Sequence, residues 1–476
     1  LAWSVSGFAG GSALSVSTGF FLVGASMHSY SCPTVRSTPT THAAVPTDPA
    51  SLPPELRARA AALAGLSRVV TEHRAMDEGR EGRGLDARDR AFARLLLTTA
   101  LRRLGQIDAV LDRCLERPLP DKAAPVRDGL RLGAAQLLFM DTPAHAAVNS
   151  AVALIRAQGW EGMAGLANAV LRRIAREGRD WLAAQDAARL DTPSWLWDSW
   201  VAAYGEDRTR AIAAAHLVEP PLDLTVRGDA QLWAERLGGT VLPTGTVRRP
   251  TGGAIEDLPG YGEGAWWVQD VAAALPARLL GDVSGKRIVD LCAAPGGKTA
   301  QLAAAGAEVT ALDRSARRMG QLVKNLARLG LRAETVIAEA ETWTPPAPVD
   351  GVLVDAPCSA TGTIRRHPDA MYLKRPEDIA VFAATQDRVL AAGLAMLRPG
   401  GTLVYAVCSL QPEEGPERIA ALLAGGAPAR RVPIAADEIG GLSGSITDGG
   451  ELRSFPFQLA ERGGMDAFFA ARLEKT

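Results

Sequence analysis

Arg287-Ile-Val-Asp-Leu-Cys-Ala-Ala-Pro-Gly-Gly-Lys-Thr299 passes from an apolar run, through an acid, to a double glycine and a helix start. Glycines at 296 and 297 let the backbone turn tightly and approach a ligand beside a helix N-terminus. The same rhythm continues downstream. Residues 308–312, 333–337, 351–354 and 402–407 read as strands, with helices over 299–305, 314–329 and 376–397 between them. Alternation of this kind predicts a doubly wound parallel α/β sheet, whose strand C-termini converge on a ligand crevice. Residues 466–472 read as a last, antiparallel strand.

Two further motifs end strands of that sheet: Asp355-Ala-Pro-Cys-Ser-Ala-Thr-Gly362 and Tyr405-Ala-Val-Cys-Ser409. They bring Cys358 and Cys408 to the crevice, each before a small polar residue. A lone buried cysteine is usually a space-filling hydrophobe, which suits Cys32, Cys114 and Cys292. A thiol must become a thiolate to attack, and Lys298 offers positive charge nearby.

The glycine turn excludes two common readings. Gly297-Lys-Thr299 matches the end of a phosphate loop, but that loop needs glycine at 292, where the chain has cysteine. The Gly-x-Gly-x-x-Gly dinucleotide fingerprint is absent as well. Asp313 closes the next strand, where an acid either caps a helix or binds ribose hydroxyls; beside the turn, it favours a nucleoside-containing cofactor.

The chain has 476 residues, 47% of them hydrophobic and 22% charged, enough for about three domains with separate cores. Net charge is −1, so bulk electrostatics announces no nucleic-acid partner. Five cysteines without a Cys-x-x-Cys pair, and six scattered histidines, argue against a disulfide scaffold and a zinc site; no metal is expected. Free thiols suit a reducing cytoplasm. No apolar run reaches the roughly 18 residues of a membrane span, and no Lys or Arg precedes Arg36, so neither membrane insertion nor export is expected.

Residues 1–53 read as a disordered leader and linker. Residues 54–185 carry helical periodicity punctuated by Pro118, Pro120, Pro125 and Pro143, and predict an all-α domain. Residues 190–270 read as a small α+β connector, and residues 271–476 as the α/β domain, opening on an apolar helix over 271–280. Trp266 and Trp267 read as core rather than as a base-stacking platform.

Together, Asp-Leu-Cys-Ala-Ala-Pro-Gly-Gly-Lys298, Asp-Ala-Pro-Cys-Ser-Ala-Thr-Gly362 and Val-Cys-Ser409 resemble the RNA 5-methylcytosine methyltransferases of the NOL/NOP/Sun type. Arg365-Arg-His-Pro-Asp369 and Gln411-Pro-Glu-Glu414 fit the same pattern. In the N-terminal region, Asp86-Ala-Arg-Asp-Arg-Ala-Phe92, Leu132-Gly-Ala-Ala-Gln-Leu-Leu-Phe139, Pro143-Ala-His-Ala-Ala-Val-Asn149 and Asn168-Ala-Val-Leu-Arg-Arg173 resemble a NusB-like RNA-binding domain. The combination is similar to the bacterial family that acts on small-subunit (16S) rRNA, and covers roughly residues 55–475.

The resemblance implies a Rossmann-like catalytic domain that uses S-adenosylmethionine to methylate cytosine carbon 5. It implies Cys408 as nucleophile and Cys358 as the aid to product release, with Asp355 and Lys298 beside them. It places the cofactor on Cys292, Ala293, Ala294, Pro295, Gly296, Gly297 and Lys298, with Asp313, Asp355 and Glu339; the family usually has Asp where this chain has Glu339. For Arg88, Arg90, Arg172 and Arg173 two readings stand: ordinary helix surface, or contact with RNA phosphates; Arg365 and Arg366, in the motif that fits the family's pattern, are expected to contact RNA. A cytoplasmic monomer with small-subunit rRNA as partner is expected. Two alternatives stay open: the same chemistry on tRNA or another rRNA site, and an RNA-binding assembly or antitermination factor.

Overall fold

Leucine and alanine at helical spacing in the N-terminal third need a common core. The computed structural model, which describes residues 52–76 and 82–476, supplies one. Helices Pro54–Val70, Ala87–Arg102, Leu104–Cys114, Ala124–Phe139, Ala144–Ala157 and Ala164–Ala183 pack around Leu66, Leu96, Ile107, Leu130, Ile155 and Leu171. Asp86 starts the second of these by accepting the Asp89 amide. Gly129 and Gly133 let Ala124–Phe139 sit at the centre, because a Cβ there would lie 2.7 Å from Ile155 and 2.8 Å from Leu171. The leader expectation falls outside the described residues except at residues 52 and 53.

Helices Ser194–Tyr204 and Glu206–His216 lead into a small antiparallel sheet. Its strands are β1 (Leu222–Val226), β2 (Thr240–Val241), β3 (Val247–Arg249) and β4 (Trp266–Val268), in the order β2-β3-β1-β4. Successive strand side chains point to opposite faces. Trp266 therefore enters the core of this sheet with Trp233, while Trp267 packs with Ala311 and Leu326 of the next layer. Both rings are buried, so neither offers a stacking platform.

The helix expected over 271–280 is a correction. Only Leu275–Arg278 is helical. Asp223 accepts the Val271 amide and Asp270 accepts the Ala272 amide, holding 271–274 as turns, and Pro276 has no amide hydrogen to donate.

The main sheet contains β5 (Arg287–Leu291), β6 (Glu308–Leu312), β7 (Glu334–Val336), β8 (Val349–Asp355), β9 (Leu397–Val407), β10 (Ala429–Arg431), β11 (Leu452–Arg453) and β12 (Phe469–Lys475). The order is β10-β12-β9-β8-β5-β6-β7, with β11 on β12. Strands β7, β6, β5, β8 and β9 are parallel; β12 runs antiparallel to β9, pairing Phe469 with Val407. This is the expected Rossmann-like α/β class. Val352 and Val354 face one core and Leu353 the other, as befits strands covered on both sides. The last strand starts at Phe469 rather than 466, because Asp466 turns inward to Arg366 and the Ala467 amide bonds Gly362.

Among the described residues, Pro376–Met396 is long and apolar enough to cross a membrane. It carries Asp387 and Arg388 near its middle and buries Val389, Leu390, Leu394 and Met396 against β8 and β9.

Candidate active site

The chain builds β5, β6 and β7 outward on one side of β5, then crosses to the other side to build β8 and β9. Such a reversal opens a crevice at the strand C-termini. Asp290, Asp313, Asp355 and Cys408 all lie at those ends.

Beyond β5 the backbone turns through Cys292, at φ 61°, and Gly296, at φ 101°. A Cβ at 296 would lie 2.8 Å from Leu322, so glycine is required both for the turn and for the packing. Thr299 Oγ1 donates to Asp290 Oδ2 at 2.6 Å, tying the new helix to the strand; Asp290 Oδ1 has no partner among the described residues. Burial pushes the Asp290 pKa up to about 7, against the Thr299 hydrogen bond. Lys298 turns back to Asp355 at 2.7 Å and lies 5.2 Å above the Phe468 ring.

Asp313 is fully buried at the end of β6. It accepts the Ser315 amide at 2.8 Å and the Ala294 amide at 3.3 Å, and pairs with Arg318. An open cleft lies here, lined by Cys292, Leu312, Asp313, Arg314, Arg318, Ala338, Glu339, Ala340, Glu341 and Val389. Glu339 is exposed at its rim, 4.0 Å from Arg314. Apolar walls with carboxylates at one end suit a flat ring joined to hydroxyls.

The two strand-end cysteines meet: Cys358 Sγ and Cys408 Sγ are 3.5 Å apart. The Cys408 sulfur, followed by burial, pushes the Cys358 thiol well above its ordinary value, so Cys358 rests protonated. Burial also pushes the Cys292 thiol up, and its side chain lines the cleft. Gly362 donates its amide to the Cys408 carbonyl at 3.0 Å.

Several residues that hold this arrangement escaped the sequence reading. Ser359 and Ser409, one after each cysteine, converge on buried Glu414. The connector helix grips the Cys408 loop: Trp200 Nε1 donates to Gln411 Oε1 at 2.8 Å, Gln411 Nε2 donates to Ser199 Oγ at 2.8 Å, and Tyr204 donates to the Leu410 carbonyl. The available signals were the serine repeated after each cysteine and the Gln411-Pro-Glu-Glu414 pattern, neither of which showed these contacts.

Two expected RNA contacts are corrected. Arg365 is 1% exposed and donates to the Gly463 carbonyl, while Arg366 pairs with buried Asp466. Arg365 is thus closed off from a phosphate, and the Arg366 guanidinium is committed to Asp466. Arg88 and Arg172 are exposed; Arg90 donates to the Leu85 carbonyl at 2.6 Å; Arg173 pairs with Glu177 at 3.3 Å. Among the described residues, no group of three His, Cys, Asp or Glu side chains could hold a metal ion.

The family model described as 16S rRNA methyltransferase RsmB/F matches residues 277–474, and the NusB family model matches residues 56–176. The ribosomal RNA small subunit methyltransferase B of Klebsiella pneumoniae is 38% identical over 358 residues, spanning 71% of this chain and 82% of that protein. The chain belongs to the ribosomal RNA small subunit methyltransferase B family. The Cronobacter sakazakii family member is 36% identical over 410 residues, 82% of this chain and 91% of that one. Among solved structures, PH0851 overlays with a TM-score of 0.69 at 21% identity, over 89% of this chain and 99% of its own, which shows a shared fold. A methyltransferase homologue from Pyrococcus horikoshii overlays with a TM-score of 0.51 at 25% identity, over 60% of this chain and 97% of its own.

Proposed function

We propose that this methyltransferase adds a methyl group to carbon 5 of a cytosine in 16S rRNA, with S-adenosylmethionine as donor and a covalent adduct on Cys408. The observation that carries the reading is the pair of thiols 3.5 Å apart at the crevice. Cytosine carbon 5 is a poor nucleophile. A Cys408 thiolate adding to carbon 6 forms a C–S bond and makes the ring enamine-like, with electron density at carbon 5. After methylation, a base takes the carbon 5 proton and the C–S bond breaks, which returns the Cys408 thiolate and the aromatic ring. Cys358, 3.5 Å from the Cys408 sulfur, serves the elimination as that base, since bonding of the Cys408 sulfur to carbon removes the chief cause that keeps the Cys358 thiol protonated. Asp355, held by Lys298, is the group we assign to bond the base edge.

The cleft fits the donor: Asp313 and Glu339 offer carboxylates to hydroxyls, and Leu312, Ala338 and Val389 offer apolar walls to a flat ring. When bound, S-adenosylmethionine supplies an electrophilic methyl on a sulfonium centre. Cys292 of the glycine turn lines that cleft, and we assign the rest of the turn, Ala293 to Lys298, to the donor as well. The target base must be unpaired or flipped to reach the thiols. We assign RNA binding to residues 54–185, with Arg88, Arg90, Arg172 and Arg173 as phosphate contacts, base positioning to residues 190–270, and catalysis in the cytoplasm to residues 271–476.

Bisulfite sequencing of total RNA from cells with and without the gene tests this. Loss of one protected cytosine in small-subunit rRNA is expected. A changed tRNA position would keep the chemistry and overturn the substrate. No change anywhere would favour an RNA-binding assembly factor.

A further inference from the structure

Glu414 follows the Cys408 strand in the short turn Pro412–Glu414 and is fully buried. One carboxylate oxygen accepts the Ser359 amide at 2.8 Å and Gln386 Nε2 at 3.1 Å. The other accepts both Ser359 Oγ and Ser409 Oγ. The residue is itself anchored to β9, because Tyr405 donates its hydroxyl to the Glu414 carbonyl at 2.6 Å.

Burying a carboxylate is costly unless its oxygens are bonded. Burial indeed raises the Glu414 pKa, and the four donors oppose that rise. No cation pairs with it among the described residues, so its partners are chiefly the two cysteine loops. A side chain needed only to fill this space would be apolar. A bidentate acceptor instead holds Ser359 and Ser409, and thereby Cys358 and Cys408, in fixed register.

We propose that Glu414 is the positioning residue that sets the distance between the two thiols, joining the Cys358 loop to the Cys408 loop through Ser359 and Ser409. Its consequence for turnover rests on the cysteine roles given above; the distance itself does not. A glutamine can replace it: its oxygen takes the Ser359 amide and Gln386, and its amide donates to the two hydroxyls once these rotate.

The test is phenylarsine oxide binding to the full chain without RNA or cofactor. Its arsenic forms bonds to two neighbouring thiols, taking their protons away with its oxygen as water. Bridging of this pair is verified by its loss in Cys358→Ser. Glu414→Ala is expected to weaken bridging at least tenfold, and Glu414→Gln to stay within threefold of the parent chain. Methyl transfer by Glu414→Ala should lose kcat by a similar factor with KM for RNA unchanged, and Glu414→Gln should restore it.

A folded Glu414→Ala chain that bridges as well as the parent overturns the proposal. If thermal melting shows that this variant does not fold, Ser409→Ala is read instead. A threefold or greater loss of bridging supports the clamp, and a smaller loss overturns it. Weakened bridging with undiminished methyl transfer would leave the clamp standing and sink the two-cysteine reading of the reaction.

Discussion

Lys298 Nζ lies 2.7 Å from Asp355 Oδ2, joining the glycine turn after β5 to the end of β8 across the point where the sheet reverses direction. The side chains are 10% and 32% exposed, so the pair is only partly screened by water. Lys298→Met should remove the cation, free Asp355 to rotate away from the thiols, and lower kcat/KM by about a hundredfold. The stability loss should stay near ~1–2 kcal/mol, below that for a fully buried pair. Methyl-transfer kinetics beside a urea melt separate the two effects; activity within twofold of the parent would remove Lys298 from the site.

Trp200 couples the connector to the Cys408 loop through one hydrogen bond to Gln411. Trp200→Phe keeps an aromatic ring but withdraws the donor from a buried amide oxygen. An unmet buried acceptor costs about 1–3 kcal/mol. The urea midpoint should fall accordingly, and kcat should fall several-fold because Gln411 lies three residues beyond Cys408. A variant with the lowered midpoint and full kcat would show that the connector stabilises the loop without aligning it.

Gly362 closes the motif that carries Cys358, and its spacing has a steric cause. Its amide bonds the Cys408 carbonyl, its carbonyl accepts the Ala467 amide, and a Cβ would lie 2.1 Å from the Ala467 carbonyl oxygen. That obstacle is backbone, which cannot swing aside as a side chain would. Gly362→Ala should cost about 2–3 kcal/mol, at the upper end for overpacking. Combined with Cys358→Ser, which leaves the adduct unresolved, it should also abolish the covalent RNA adduct on denaturing gels. Parent-like melting together with normal adduct formation would contradict the close approach.

The α/β sheet was legible because β5, β8 and β9 are long apolar runs, each closed by a residue of the crevice. Strands β3 and β4 have three residues each, too few to show a period, and the fold creates them by pairing with β1. The turns at 271–274 depend on Asp223, some fifty residues away. Arg365 and Arg366 read as RNA contacts because their acceptors, Gly463 and Asp466, are about a hundred residues distant. The cysteines were legible from strand ends, whereas Glu414 was visible only as part of a pattern. Its role depends on three loops meeting, which local sequence does not encode.

Asp191 gives the helical region and the connector a pH-dependent seam. It is 3% exposed; Oδ1 accepts the Gln106 amide at 2.8 Å, and Oδ2 has no hydrogen bond among the described residues. Burial raises its pKa to about 7, against the opposing pull of the Gln106 amide and Arg103. In the unfolded chain the same carboxyl loses its proton near pH 4. Between about pH 4 and 7, then, the native state holds a proton that the unfolded state has released. The contribution to stability is fully present below pH 4 and is lost as pH rises through 7, by at most ~4 kcal/mol. Asparagine cannot ionise and keeps the oxygen that accepts the Gln106 amide. Asp191→Asn should therefore match the parent chain near pH 4 and exceed it by ~1–3 kcal/mol at pH 8. Asp290, also raised to about 7, contributes a slope of the same sign to both chains and cancels in the difference. Urea denaturation of the two chains at both pH values measures that difference; a gap that does not widen between pH 4 and 8 would show that Asp191 folds in its ionised form.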